Sequence, residues 1–174
     1  MVAANRQRHH IRRDNHRVEG GDLGQRTFQR ERLLDPERVI QIGIRGTTND
    51  PDMWGFSTRS GMRVLSMEEF HDQGWRYAAE EARRVAGSGP TYLTFDIDSL
   101  DPSQAPGTGT PEAGGITALE ALRLLRALRG IDFVGGDLVE VAPPFDVGTI
   151  TSFNGASILF EILCLLTEAW QARN

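Results

Sequence analysis

Apolar residues fall into a regular pattern only from about residue 35 onward, where short alternating runs and stretches of helical spacing succeed one another. Arg38 to Arg45 alternates well enough for a strand bounded by Gly46, and Arg63 to Ser66 reads as a second, shorter one. Ser66 with Glu69 three residues on marks a helix start. Phe70, Gly74, Ala78, Ala82 and Val85 then recur at helical spacing until Gly87 ends the run. Tyr92 to Ile97 is rich in β-formers and stops at turn residues, which predicts a strand. Thr117 and Glu120 open a further helix, with Leu119, Leu122, Leu125 and Leu128 on or near one face, Arg123, Arg126 and Arg129 on its wet face, and Gly130 as the stop. Phe133 to Val141 is the next strand, closed by Pro143-Pro144, and a last helix spans roughly residues 152–169.

Strands alternating with helices predict an α/β fold with a three-layer parallel sheet and flanking helices. Parallel strands covered on both faces account for the near-continuous apolar runs. Residues 47–61 form a long polar loop with Asp50-Pro51 turn chemistry and outward-looking Trp54 and Phe56.

Residues 1–32 are different. They are rich in Arg, His, Gln and Asn, poor in large apolars and without sustained period, which predicts a disordered or weakly ordered tail ahead of a domain at 33–174. His9, His10 and His16 on such a tail are expected to be solvated rather than to gather a metal.

Composition adds boundaries. The chain has 174 residues, enough for one domain with a real core, and 39% hydrophobic with 25% charged residues is ordinary for a globular protein. A net charge of −5 gives no reason to expect nucleic acid or an anionic membrane as partner. The longest apolar stretch, Ile158 to Leu166, is interrupted by Glu161 and falls short of a membrane span, and no secretory signal opens the chain. One cysteine, Cys164, excludes an internal disulfide and suits a reduced, cytoplasmic setting.

The chemistry concentrates at Asp96-Ile97-Asp98-Ser99-Leu100-Asp101-Pro102. Alternation along a strand places Asp96 and Asp98 on one face at its carboxyl end, where ligands bind in such sheets. Two neighbouring carboxylates repel one another, and in a partly buried site they stay ionised only if cations neutralise them. Hard divalent metals fit that description. Turn chemistry is the other reading, since Asp side chains readily bond nearby backbone amides. His71 flanks the apolar stripe of its helix, where a solvated or capping role fits better than catalysis.

Asp96 to Pro102, continuing through Pro106-Gly-Thr-Gly-Thr-Pro111 to Gly114-Gly115, resembles the third signature of the ureohydrolases: arginase, agmatinase, guanidinobutyrase and proclavaminate amidinohydrolase. The resemblance runs from about Leu33 to the C-terminus and covers the C-terminal half of a typical member. It implies an arginase-like sheet, here incomplete, and hydrolysis of a guanidino C–N bond to urea and an amine at two Mn²⁺ ions per complete site. Asp96 and Asp98 are then metal ligands. Glu140, in Leu138-Val-Glu140-Val-Ala-Pro143, matches the Glu that grips the substrate guanidinium by paired charge-assisted hydrogen bonds. Thr110 matches the Thr beside the guanidinium, and Asp137 is expected to support the site from behind. The partner implied is a small guanidino compound, agmatine or a guanidino acid rather than arginine, in a complete member that is a homo-oligomer.

Other parts of the family pattern are missing. Gly20-Gly21-Asp22 is followed by Leu23, which cannot ligate, where the first signature has a metal-binding His. The Asp-Ala-His-x-Asp signature and the segment with a proton-shuttling His are absent too, as is the strand expected between the Val39 and Asp96 strands. The chain therefore reads as an agmatinase-type ureohydrolase in truncated form, expected to bind metal weakly by itself. The alternative is a non-catalytic ureohydrolase-like subunit that binds an intact relative through its last helix and loops.

Overall fold

The computed structural model describes residues 2–4, 34–46, 52 and 54–174. A 5-stranded sheet has the order β3-β2-β1-β4-β5, with β1 at Val2–Ala4, β2 at Ile40–Ile44, β3 at Arg63–Ser66, β4 at Thr91–Asp96 and β5 at Phe133–Val139. The helices are α1 (Gly55–Arg59), α2 (Met67–Ala86), α3 (Ala118–Ala127) and α4 (Ile150–Arg173). β2 with β3 and β4 with β5 are parallel, each pair joined through a helix-bearing crossover, as the alternating pattern predicts. α1 lies inside the stretch expected to be a loop.

β1 departs from a parallel sheet. It runs antiparallel to both neighbours, with Val2 opposite Gln41 and Thr94 and Ala3 opposite Ile40 and Leu93. Residues expected to lie in a loose tail thus fill the slot between the Val39 and Asp96 strands. Backbone amides and carbonyls need partners whatever side chains they carry, so three small residues satisfy β2 and β4 without any apolar pattern. Residues 5–33, with His9, His10, His16 and Gly20-Gly21-Asp22, lie outside the described residues.

α2 packs on β2 and β3, α4 packs on β5, and α3 lies between them and touches both. Ile40, Ile42, Leu65, Leu93 and Phe95 turn toward this helical layer and join Phe70, Ala78, Leu124, Leu125, Ile158 and Ile162 in one core. Alternation sends Tyr92, Thr94 and Asp96 to the opposite face. Among the described residues the fold therefore shows the sheet and one helical layer, the incomplete α/β architecture expected.

Local chemistry explains the helix boundaries. The Ser66 hydroxyl accepts from the Glu69 amide, as predicted, but the Glu69 carboxylate turns away to Arg63 and to the Tyr77 hydroxyl. Thr117 and Glu120 complete a reciprocal capping box at the start of α3. α2 is broken at Gly74, whose φ of 82° no helix accommodates. On α3 the inward positions are Ala121, Leu124, Leu125 and Leu128, while Leu119 is exposed, so the buried stripe is rotated from the one expected. Two of the arginines expected to be merely wet do more: Arg126 bonds Glu161 and Arg129 bonds Glu168, fastening α3 to α4.

By length and composition alone, α4 is long and apolar enough to cross a membrane, which the sequence pattern did not predict. Here it lies along the sheet. Gly155, Ile158, Ile162, Leu165 and Ala169 face inward, and Phe153, Phe160, Leu163 and Trp170 are exposed on its outer side.

Candidate metal and substrate site

β4 and β5 end side by side. Asp96 pairs in register with Val139, so Glu140, one residue on, leaves the sheet beside Asp96. This is the carboxyl end of two parallel strands, the position where α/β sheets bind ligands.

Asp98 reaches this point by a different route from the one alternation suggests. The strand stops at Asp96, and Ile97–Ser99 form a turn of 3₁₀ helix. The Asp98 amide donates to Asp96 Oδ1 at 3.1 Å, so the carboxylate that ends the strand also caps the turn. Turn chemistry, one of the two readings of the Asp pair, brings the carboxylates together, and half-burial makes their closeness costly. Burial pushes the Asp96 carboxyl up to about 6, with the neighbouring Asp98 charge adding to the rise and the Asp98 amide opposing it.

The loop that follows returns to its own base. Leu100 and Ile116 form a bridge, Ile116 N–H donates to the Ser99 carbonyl and Asp101 N–H to the Ile116 carbonyl. Asp101 holds the entry to the loop, accepting from the Ser103 amide and hydroxyl and from the Gly114 amide. Midway, Thr108 bridges Val141 just beyond β5, and Ala142 N–H donates to the Gly107 carbonyl at 2.7 Å. Gly107 N–H in turn donates to the buried Thr151 Oγ1 at 2.7 Å, near the start of α4. The loop is thus fixed at both ends and in the middle.

That path sets the two remaining candidates. Thr110 Oγ1 donates to Asp98 Oδ2 at 3.0 Å. A Cβ built on Gly109 would lie 4.0 Å from Glu140 Oε2, so the loop passes between Glu140 and Asp98. Asp96, Asp98 and Thr110 are linked by hydrogen bonds, and Glu140 leaves the neighbouring strand at the same end of the sheet. Glu140 itself has φ 65°, a left-handed conformation that costs a side-chain-bearing residue about 1–2 kcal/mol. Such strain persists only where neighbours enforce it, and here it leaves an exposed carboxylate beside Gly109 of the site loop.

Asp137 sits lower on β5. The Tyr92 hydroxyl donates to its Oδ2 at 2.8 Å, and that bond raises the Tyr92 phenol above its ordinary pKa. His71 is away from this cluster: its Nε2 meets the Gly114 carbonyl at 2.9 Å, a capping role for the returning loop, as expected. Arg45 is the residue that pattern reading missed. Its guanidinium reaches the carbonyls of Asp98, Leu100, Glu112 and Ala113. The only signal for it was a glycine inside a strand, Gly43, of the kind that marks a bulge.

A hard divalent cation fits the Asp pair, since oxygen donors suit it and its charge would offset the repulsion that raises Asp96. The fit is partial. Among the described residues no three His, Cys, Asp or Glu side chains converge, and cations such as Mn²⁺ want about six donors each.

Comparison with known proteins places the chain among guanidino-compound hydrolases in sequence and fold. A guanidinopropionase of Pseudomonas aeruginosa is 58% identical over 139 residues, 80% of this chain and 44% of the relative. A mitochondrial agmatinase of Gallus gallus is 48% identical over 136 residues, 78% of this chain and 40% of that protein. The solved structure of proclavaminate amidino hydrolase from Streptomyces clavuligerus superposes with a TM-score of 0.80 at 39% identity, covering 84% of this chain and 49% of that one. The chain thus spans less than half the length of the relatives it matches. The model of the arginase family matches residues 11–165, and on that match the chain belongs to the arginase family.

Proposed function

We propose that this chain carries the substrate-gripping part of a ureohydrolase site, acting on a small guanidino compound to give urea and an amine. The observation that carries the reading is the juxtaposition at one strand end of Asp96, Asp98, Thr110 and Glu140, in a chain with a 58% identical guanidinopropionase relative. Two Mn²⁺ ions are the cofactor proposed for a complete site, and Asp96 and Asp98 are the residues here that would hold them. Bound divalent cations supply a water acidic enough to attack at neutral pH.

The chain's own residues do the rest of the binding. The Glu140 carboxylate takes the planar guanidinium by two parallel N–H···O bonds, which fixes the plane of the carbon to be attacked. Thr110 Oγ1 donates to Asp98 and holds that carboxylate still. In the overall reaction water adds to the guanidino carbon, the bond from that carbon to the alkyl-bearing nitrogen breaks, that nitrogen takes up a proton and leaves as the amine, and the carbon with its other two nitrogens leaves as urea. A guanidino acid of the guanidinopropionate type is the preferred substrate, ahead of agmatine, with arginine least favoured.

Urea release with Mn²⁺ present tests this. The substrates are guanidinopropionate, guanidinobutyrate, agmatine and arginine. The proteins are this chain and a version extended at its N-terminus by the preceding segment of the guanidinopropionase. The extended chain is expected to release urea from guanidino acids, and the chain alone little or none. No release from the extended chain on any of the four substrates would reject the proposal.

A second reading has its own support in the exposed stripe Phe153, Phe160, Leu163 and Trp170 on α4. A non-catalytic subunit would use such a face to hold an intact relative. Co-purification of the two, with no urea release by the extended chain, is the result that separates this reading from the first.

A further inference from the structure

We infer that Arg45 is a positioning residue for the site: it sets the place of Asp98 by holding the backbone of the loop on which Asp98 and Thr110 are carried. This rests on the proposed role of the Asp96–Asp98 pair as cation ligands.

Arg45 follows β2, two places from the Asp96 strand in the sheet. Its Nη2 donates to the Asp98 carbonyl at 2.6 Å, to the Glu112 carbonyl at 2.7 Å and to the Leu100 carbonyl at 3.3 Å. Its Nε is shared between the Glu112 and Ala113 carbonyls at 3.2 and 3.3 Å. One planar group therefore grips the loop where it leaves Asp98 and where it returns at residues 112–113. A carbonyl has no other way to be held from a distance than by a donor, and a charged donor roughly doubles the strength of the bond. A lysine, with one compact ammonium, cannot reproduce that fork.

The strand is shaped for this. Ile42 pairs with Leu65 but Ile44 pairs with Ser66, so β2 carries one extra residue against β3. The extra residue is Gly43, with φ 84°, and an added Cβ there would lie 3.0 Å from Met67 Cε. A bulge of this kind reverses the alternation beyond it and re-aims the next side chains. Without it Arg45 would take the other face of the sheet, away from the loop.

Arg38 offers an internal comparison at the opposite end of β2. Its Nε donates to the Ala86 carbonyl at 2.9 Å and its Nη2 to the same atom, tying down the end of α2 far from Asp98. Removing it costs the fold a similar arginine–carbonyl clamp without touching the site loop.

The experiment is an NMR titration of the whole chain with Mn²⁺, reading paramagnetic broadening of the amides around Asp96, Asp98 and Thr110, together with amide exchange across residues 98–116. Wild type, Arg45→Ala, Arg45→Lys and Arg38→Ala are compared. Loss of an outer partner of a metal ligand typically weakens metal binding by about 10-fold or more. The Mn²⁺ concentration for half-broadening is expected to rise by that factor in both Arg45 variants, with faster exchange in the loop. In Arg38→Ala both readouts should stay as in wild type. Arg45→Lys carries the test if Arg45→Ala loses its core signals. Unchanged broadening in the Arg45 variants overturns the inference, even if loop exchange rises, because a merely structural clamp would do only the latter. Absence of any broadening near Asp96 in wild type instead rejects the cation-binding reading on which the inference stands.

Discussion

Two glycines two residues apart in the site loop should respond to the same substitution to very different degrees. Gly107 lies where the loop crosses the start of α4. A Cβ there would fall 2.6 Å from Asp146 Cβ, 2.7 Å from Asp146 Cα and 2.9 Å from Thr151 Oγ1. Asp146 cannot retreat cheaply, because its carboxylate accepts from the Thr151 and Ser152 amides and the Ser152 hydroxyl. Overpacking against fixed backbone costs about 1–3 kcal/mol, and displacing Gly107 N–H from Thr151 Oγ1 adds about 1 kcal/mol. Gly107→Ala is therefore expected to lose about 2–4 kcal/mol of stability, which for a chain of this size lowers the urea midpoint by about 1–2 M. At Gly109 the nearest atom to an added Cβ is Glu140 Oε2 at 4.0 Å, so Gly109→Ala should stay within about 0.5 kcal/mol of wild type. Urea unfolding followed by tryptophan fluorescence reads both. Equal midpoints for the two variants would show that the loop is not seated on α4 as described.

Glu140→Gly and Glu140→Gln separate strain from chemistry. Glycine relieves a left-handed φ worth about 1–2 kcal/mol and gives back about 0.5–1 kcal/mol in backbone freedom, so a net gain of about 0.5–1 kcal/mol is expected by thermal unfolding. Gln keeps the strain and should leave stability unchanged. Calorimetry that finds Gln more stable than Gly would contradict the conformation assigned here. A pH dependence follows from Glu81, whose carboxyl is held at about 2 by Arg84, with Arg63 adding to the effect. A carboxyl depressed in the folded chain stabilises it fully above its unfolded value of 4.5, and that contribution is lost as pH falls toward about 2. The midpoints of wild type and Glu81→Gln should therefore converge between pH 4.5 and 2, and parallel curves across that window would exclude the link.

Much of this architecture could be read along the chain because its signals are local. Thr117 with Glu120, Ser66 at the head of α2 and Gly87 at its end each act through backbone groups a few residues away. Asp96 at a strand end was legible for the same reason. Asp98 lies beside Asp96 through a turn that Asp96 caps, in place of the strand that alternation extends through it. β1 was not legible: three residues paired by backbone alone leave no pattern. Neither was Arg45, whose partners are carbonyls more than fifty residues on, nor the left-handed turn at Glu140, which only the surrounding loop enforces. Arg126 and Arg129 show the same limit, because a charge facing outward from one helix is paired or wet according to the next helix.

The account stands on Glu140 and the Asp pair acting on one guanidino substrate. Its most direct test is the rate of urea release by the N-terminally extended chain with Mn²⁺ and guanidinopropionate, set beside the same chain carrying Glu140→Gln or Asp98→Asn. Each substitution is expected to cut kcat/KM by about 100-fold or more, the loss of a desolvated charge-assisted contact to substrate or metal. Retention of the parent rate by either variant would contradict the claim.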